Sequence, residues 1–226
     1  MNIFSYKTGR MASAIIATIF ILWIVCFVGI ALTSPLFRWI GLADYLVFEQ
    51  TNPQFFQNIA KAAMLLFGPV YVVFIHSFYI VSEGNKRDRA RLSLLFALAF
   101  AILSSIHYFV QLSVVRINIR NGQTFGLELY LQANPYSIMT AIDMLGWTLF
   151  LGLSSLFIFS FFERSKLERT IRYAFLINGI SCLLGGVGYL LQIDLLTFLC
   201  VNLFLGVAVI TMSIASFFWF RRRSKL

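Results

Sequence analysis

Two histidines and one aspartate, all inside apolar stretches, are where this sequence has the means to do chemistry. The histidines are His76 and His107, and Asp143 is the acid that the apolar runs enclose. A polar group in hydrocarbon is costly without a partner, so each of these residues marks either a pairing or a site. Read as a helix, Ser104, His107, Tyr108, Gln111 and Val115 recur three and four residues apart and share one face, which Asn118 continues past the membrane edge. Asp143, Gly146, Phe150, Ser154 and Phe157 share a face in the next run. At the helical rise, His107 lies about 12 Å and Asp143 about 8 Å below the same membrane surface. The two can therefore meet, with Gln111 between them. An aspartate beside a histidine makes a titratable pair, able to orient a ligand or to serve as an acid and base. Arg116, snorkelling inward from the surface, is the competing partner for Asp143, in an ion pair that would only keep the acid buried.

The remaining polar residues divide between packing and ligand contact. Asn178, Ser181, Gly185, Gly188 and Gln192 form one stripe, and Asn202, Gly206, Ser213 and Ser216 lie on the run that follows. Small residues at this spacing let helices approach closely, which is the expected role of the stripes. The alternative is that Asn178 and Asn202 project into a cavity. His76 follows Gly68-Pro69, a helix-bending pair expected to serve packing. Its depth differs from that of His107, which disfavours a haem shared between them. Cys26, Cys182 and Cys200 all sit in apolar runs, without a CxxC or Cys/His cluster, so neither a disulfide framework nor structural zinc is expected. Metalloprotease, nucleophile-elbow, P-loop and dinucleotide motifs do not occur. No cofactor or metal is expected.

These residues ride on an all-α scaffold of membrane-spanning helices. Of the 226 residues, 60% are hydrophobic and 12% charged, against about 25% charged in soluble domains. Apolar runs long enough to cross the hydrocarbon core occupy residues 11–33, 62–81, 92–115, 138–162, 173–191 and 195–220. They are continuous rather than alternating, which predicts a helical bundle and not a barrel. The first run exceeds the apolar core of a signal peptide and is expected to remain as a helix. One integral membrane domain accounts for the whole length. The net charge of +9 would suggest nucleic acid in a soluble protein. Here the cations flank apolar runs, so nucleic acid is not expected and anionic headgroups are.

Orientation follows from those cations. Fourteen of the 18 Lys and Arg residues lie in the N-terminal segment, the second and fourth loops and the C-terminal tail. The other four are Arg38 and Lys61 in the first loop, with Lys61 at the edge of a span, and Arg116 and Arg120 in the third. The positive-inside rule then places both termini in the cytoplasm. The two long outer loops, rich in Trp39, Tyr45, Phe48, Leu127 and Tyr130, are expected to lie in the outer interface. The short turn at residues 192–194 makes a tight hairpin of the last two spans.

The layout resembles a broad group of six-helix bacterial membrane proteins known only as a domain of unknown function. The likeness rests on the long loop after the first span, Ser105-Ile-His-Tyr-Phe-Val-Gln111 leading to Gly126-Leu-Glu-Leu, and Asn134-Pro135 before Asp143-Met-Leu-Gly-Trp147. It implies a multi-pass protein of the bacterial inner (plasma) membrane, and carries over no activity and no functional residue. The expected function is to bind, sense or transport a lipidic or small apolar molecule in an outward-facing intramembrane cavity. His107, Gln111, Asp143, Asn178 and Asn202 are the candidate ligand contacts. The alternatives are a non-catalytic assembly subunit and a membrane enzyme using His107 and Asp143 as acid and base. Membrane lipids are the expected partners, and the sequence names no protein partner.

Overall fold

Long apolar runs in lipid must satisfy every backbone N–H and C=O internally, and the chain does so with helices. A computed structural model describes residues 3–163 and 165–224. Its helices are α1 (Ile3–Thr33), α2 (Leu42–Thr51), α3 (Phe55–Ile80), α4 (Asn85–Arg120), α5 (Ile138–Phe161), α6 (Lys166–Leu190) and α7 (Asp194–Arg223). All but α2 are long and apolar enough to cross a membrane, so the fold is an all-α multi-pass bundle. No strand occurs among the described residues.

Several helices extend beyond the apolar runs that announce them, because hydropathy marks the hydrocarbon and not the end of hydrogen bonding. The sixth helix begins at Lys166 rather than Tyr173, fixed by a capping box. There Ser165 Oγ accepts from the Glu168 N–H at 3.1 Å, and Glu168 Oε2 accepts from the Ser165 N–H at 3.3 Å. Likewise α3 starts at Phe55 rather than near residue 62. This corrects the placement of Lys61, which sits inside the helix and not at its edge.

The six long helices form a closed ring. Each packs against its neighbours in the order α1, α3, α4, α5, α6 and α7, and α7 closes against α1. Aromatic rings fill the middle, among them Phe67, Tyr71, Phe74, Phe78, Phe100, Phe175 and Phe220, all completely buried. Small residues set the closest crossings. A Cβ on Gly68 would lie 3.0 Å from Ala101 Cα, so α3, unbroken through Pro69, packs its Gly68 directly on α4. Gly152 and Gly179 do the same for α5 and α6, where a Cβ on Gly179 would meet Leu156 at 2.5 Å. On the outside, Leu66, Phe109 and Val207 are each about 60% exposed, as lipid-facing residues are.

The two ends of the bundle differ. One carries both described chain ends and most of the basic residues, some of which lean on rings or acids: Arg223 over Trp219 at 4.8 Å, Arg87 over Tyr79 at 5.3 Å, and Lys86 paired with Glu163 at 3.3 Å. Arg164 and Lys225, counted with these cations, lie outside the described residues. The other end carries α2 and the 121–137 loop. These segments do more than lie along an interface. Tyr45, Leu127 and Leu131 are buried with Val115 in a second apolar cluster that caps the bundle. Tyr45 donates to Glu49, and burial, then the Glu49 charge, pushes its phenol well above the usual range, so it stays a donor.

A wide π-type turn interrupts three helices toward this α2 end: residues Gln111–Val115 in α4, Leu145–Phe150 in α5 and Leu199–Phe204 in α7. The extra residue in such a turn rotates the side chains beyond it and often marks a functional region.

Candidate functional site

His107 and Asp143 do come together. The imidazole Nε2 lies 3.7 Å from Asp143 Oδ2, with His107 completely buried and Asp143 nearly so. Their partners fix the protonation pattern. His107 Nδ1 is 3.0 Å from the Met139 carbonyl oxygen, which can only accept, so Nδ1 carries a hydrogen. The Trp147 indole N–H donates to Asp143 Oδ1 at 3.1 Å. Trp147 is itself clamped, stacked on Phe67 at 5.5 Å and edge-on to Phe100 at 5.0 Å. What remains is the facing edge of Nε2 and Oδ2. At 3.7 Å the two atoms face each other beyond hydrogen-bond distance, and Nε2 has no hydrogen-bond partner among the described residues. For two ionisable groups this close in a low-dielectric interior, the cheapest state is one with no net charge on the pair.

Gln111 does not stand between the two. Its Nε2 donates to the Tyr130 carbonyl and its Oε1 accepts from the Gln132 N–H at 3.1 Å, so it clasps the 121–137 loop to α4. Arg116 is exposed, and among the described residues the basic group beside Asp143 is His107 instead. The wide turn beginning at Gln111 lies between His107 and Arg116, so spacing from an ideal helix does not carry to that arginine.

Asn178 belongs to a separate mid-bundle knot. Its Nδ2 donates to Ser155 Oγ at 2.8 Å, while Tyr71 Oη lies 3.2 Å from Ser154 Oγ and Ser93 Oγ donates to the Ser154 carbonyl at 2.7 Å. These groups tie α3, α4, α5 and α6 together and are buried. Asn202 donates within its own helix to the Phe198 carbonyl at 3.3 Å. His76 is exposed on α3 beside Tyr79, turned away from the bundle interior that holds His107. The five candidate contacts thus fall into a buried pair, a loop clasp, a packing knot and a half-exposed helix residue.

The accessible site lies elsewhere. At the α2 end a cavity of about 380 Å³ opens between α1, α2, α3 and the 132–133 segment. Phe27, Ile30, Phe37 and Phe48 make apolar walls, and Tyr45, Gln57, Lys61 and Gln132 supply polar groups. A second cavity of about 210 Å³ shares Ile30, Gln57, Lys61 and Gln132 and reaches Trp23 and Tyr108. His107 and Asp143 line neither. They lie one residue deeper, behind Tyr108, whose ring meets the His107 ring edge-on at 4.8 Å.

Sequence reasoning missed Lys61 as a site residue because the hydropathy window opens just after it. Gln57, Lys61 and Met64 share one helical face, and that spacing was the available signal. It also missed Glu168, whose carboxylate accepts from the Trp219 indole at 3.0 Å and from Arg223 at 3.2 Å. No family model, curated protein or solved structure matches this chain.

Proposed function

We propose that the protein binds, senses or moves a lipidic or small apolar molecule through the cavity at the α2 end. This end faces outward from the bacterial inner membrane, with both termini in the cytoplasm. The observation that carries the reading is the cavity itself. Its volume falls in the range of small-molecule sites, and it combines apolar walls with a few polar groups, as such sites do. The excess of Lys and Arg at the opposite end supports the orientation. The buried pair His107–Asp143 acts in this reading as a support for the floor formed by Tyr108. Acid–base catalysis by the pair is disfavoured, because a reacting atom must come within hydrogen-bond reach and both groups are enclosed.

Native mass spectrometry from a mild detergent tests the reading. The expected spectrum shows a protein carrying one bound amphiphile-sized mass, which Ala133→Trp, placed on the cavity wall, removes. A protein that flies bare, or whose bound mass Ala133→Trp leaves unchanged, overturns it and favours an assembly subunit instead.

A further inference from the structure

The chemistry of the two joined cavities is asymmetric. Lys61 is the one charged residue that lines either of them, and it lines both. Its ammonium forms no ion pair among the described residues: the recorded pairs are Lys86–Glu163, His107–Asp143 and Arg223–Glu168. Glu49 acts on Lys61 only from beyond ion-pair distance, and its carboxylate already accepts from Tyr45. On the same wall Ser34 carries a buried hydroxyl oxygen that has no hydrogen-bond partner. A cation and an unsatisfied hydroxyl in one apolar chamber are groups waiting for an acceptor. Beyond them the larger cavity is lined by Phe27, Ile30, Leu36 and Phe37, with Leu36 95% exposed, so that wall is open to the surroundings.

Resting on the pocket reading above, we propose that the occupant is a single-chain anionic amphiphile. Its carboxylate or phosphate head sits on Lys61 with Ser34, Gln57 and Gln132 as further donors, and its hydrocarbon chain lies along Phe27, Ile30 and Phe37. The head must be anionic because an ammonium in a largely apolar chamber is most stabilised by a charge-assisted bond. The chain must be single because about 380 Å³ lies near the lower limit for ligand cavities. Gln132 then links the head to the interior, since its side chain lies beside His107 and its own backbone is held by Gln111.

The test is competition against tritiated palmitate on the full-length protein, immobilised in dodecyl maltoside and read by scintillation proximity. Palmitate and hexadecyl phosphate carry the proposed head, hexadecanol carries the chain alone, and acetate and inorganic phosphate carry the head alone. At least one of the two acids should bind about tenfold to a hundredfold more tightly than hexadecanol, the span of one charge-assisted hydrogen bond. Whichever leads identifies the head. Lys61→Met should erase that gap while leaving hexadecanol binding unchanged, and Lys61→Arg should keep it. Hexadecanol binding as tightly as both acids, or a gap that survives Lys61→Met, overturns the anionic head while the pocket stands. So does joint loss of acid and alcohol binding in Lys61→Met, because methionine fills the same space. Two-chain phosphatidylglycerol competing as well as palmitate overturns the single chain. Failure of every long-chain compound to bind overturns the pocket reading itself.

Discussion

Replacing Asp143 distinguishes a neutral buried pair from a required charge. Asp143→Ala leaves the Trp147 indole N–H without its acceptor in the buried interior, while His107 Nε2, already without a hydrogen bond, loses a neighbouring carboxyl. An orphaned buried polar group costs about 1–3 kcal/mol. Hydrogen bonds between membrane helices average only about 0.6 kcal/mol, because the unfolded chain in lipid also finds partners, which pulls the expectation to about 2 kcal/mol. Asp143→Asn should behave differently. The amide oxygen accepts from Trp147 as Oδ1 does, and the amide keeps the size of the carboxyl while carrying no charge. Its cost should stay below about 1 kcal/mol. The assay is unfolding in mixed dodecyl sulfate and dodecyl maltoside micelles, followed by circular dichroism. Asparagine as damaging as alanine would show that the carboxylate charge itself is needed, and would refute the neutral-pair reading. An alanine variant as stable as the parent would show that the pair carries no stability at all.

Two further outcomes follow from the packing and the topology. Gly179→Leu forces its Cβ against Leu156 and the Gly152 carbonyl, with contacts of 2.5 and 3.0 Å that cannot persist, and should lower stability by about 1–3 kcal/mol in the same assay. Gly206→Ala meets nothing within 4 Å in a helix interior and should be neutral or stabilise by up to about 1 kcal/mol. Equal effects at the two sites would contradict the close crossing of α5 and α6. For orientation, Phe125→Cys in the fully exposed loop should react with a membrane-impermeant thiol reagent in intact cells, and Lys86→Cys only after lysis. The native cysteines are buried and give a low background. The reverse pattern would invert the topology.

The scaffold was legible because the bilayer imposes it. Runs such as 195–220 have one workable conformation in hydrocarbon, and hydropathy alone locates them. The pairing of His107 with Asp143 was also legible, since it needs only helical spacing and depth. What failed was anything that depends on a turn departing from the ideal helix or on a loop folding back. The wide turn beginning at Gln111 alters the register between His107 and Arg116, and Gln111 found its partners in the backbone of the 130–132 segment, which no periodicity announces. Lys61 was misplaced for a related reason. A helix can start in the interface before hydropathy rises, and there a lysine reads as loop.

Intramembrane acids are ordinarily the first suspects for function. In this bundle both buried acids are met by an indole: Asp143 by Trp147 and Glu168 by Trp219. His107 lies beside the first, and Arg223 and the Ser165 N–H donate to the second. Such arrangements tie together elements that lie far apart in sequence, as Glu168 joins the start of α6 to the end of α7, and they leave little capacity for a ligand. Ser104 and Ser216 are buried without partners, yet neither lines the cavities at the α2 end. Lys61 and Ser34 differ from all of these, because they combine unmet bonding capacity with a space that a molecule can enter. Helix packing gives no reason to leave a lysine ammonium without an ion-pair partner among the described residues at a cavity wall. Binding is the explanation that accounts for both the charge and the space.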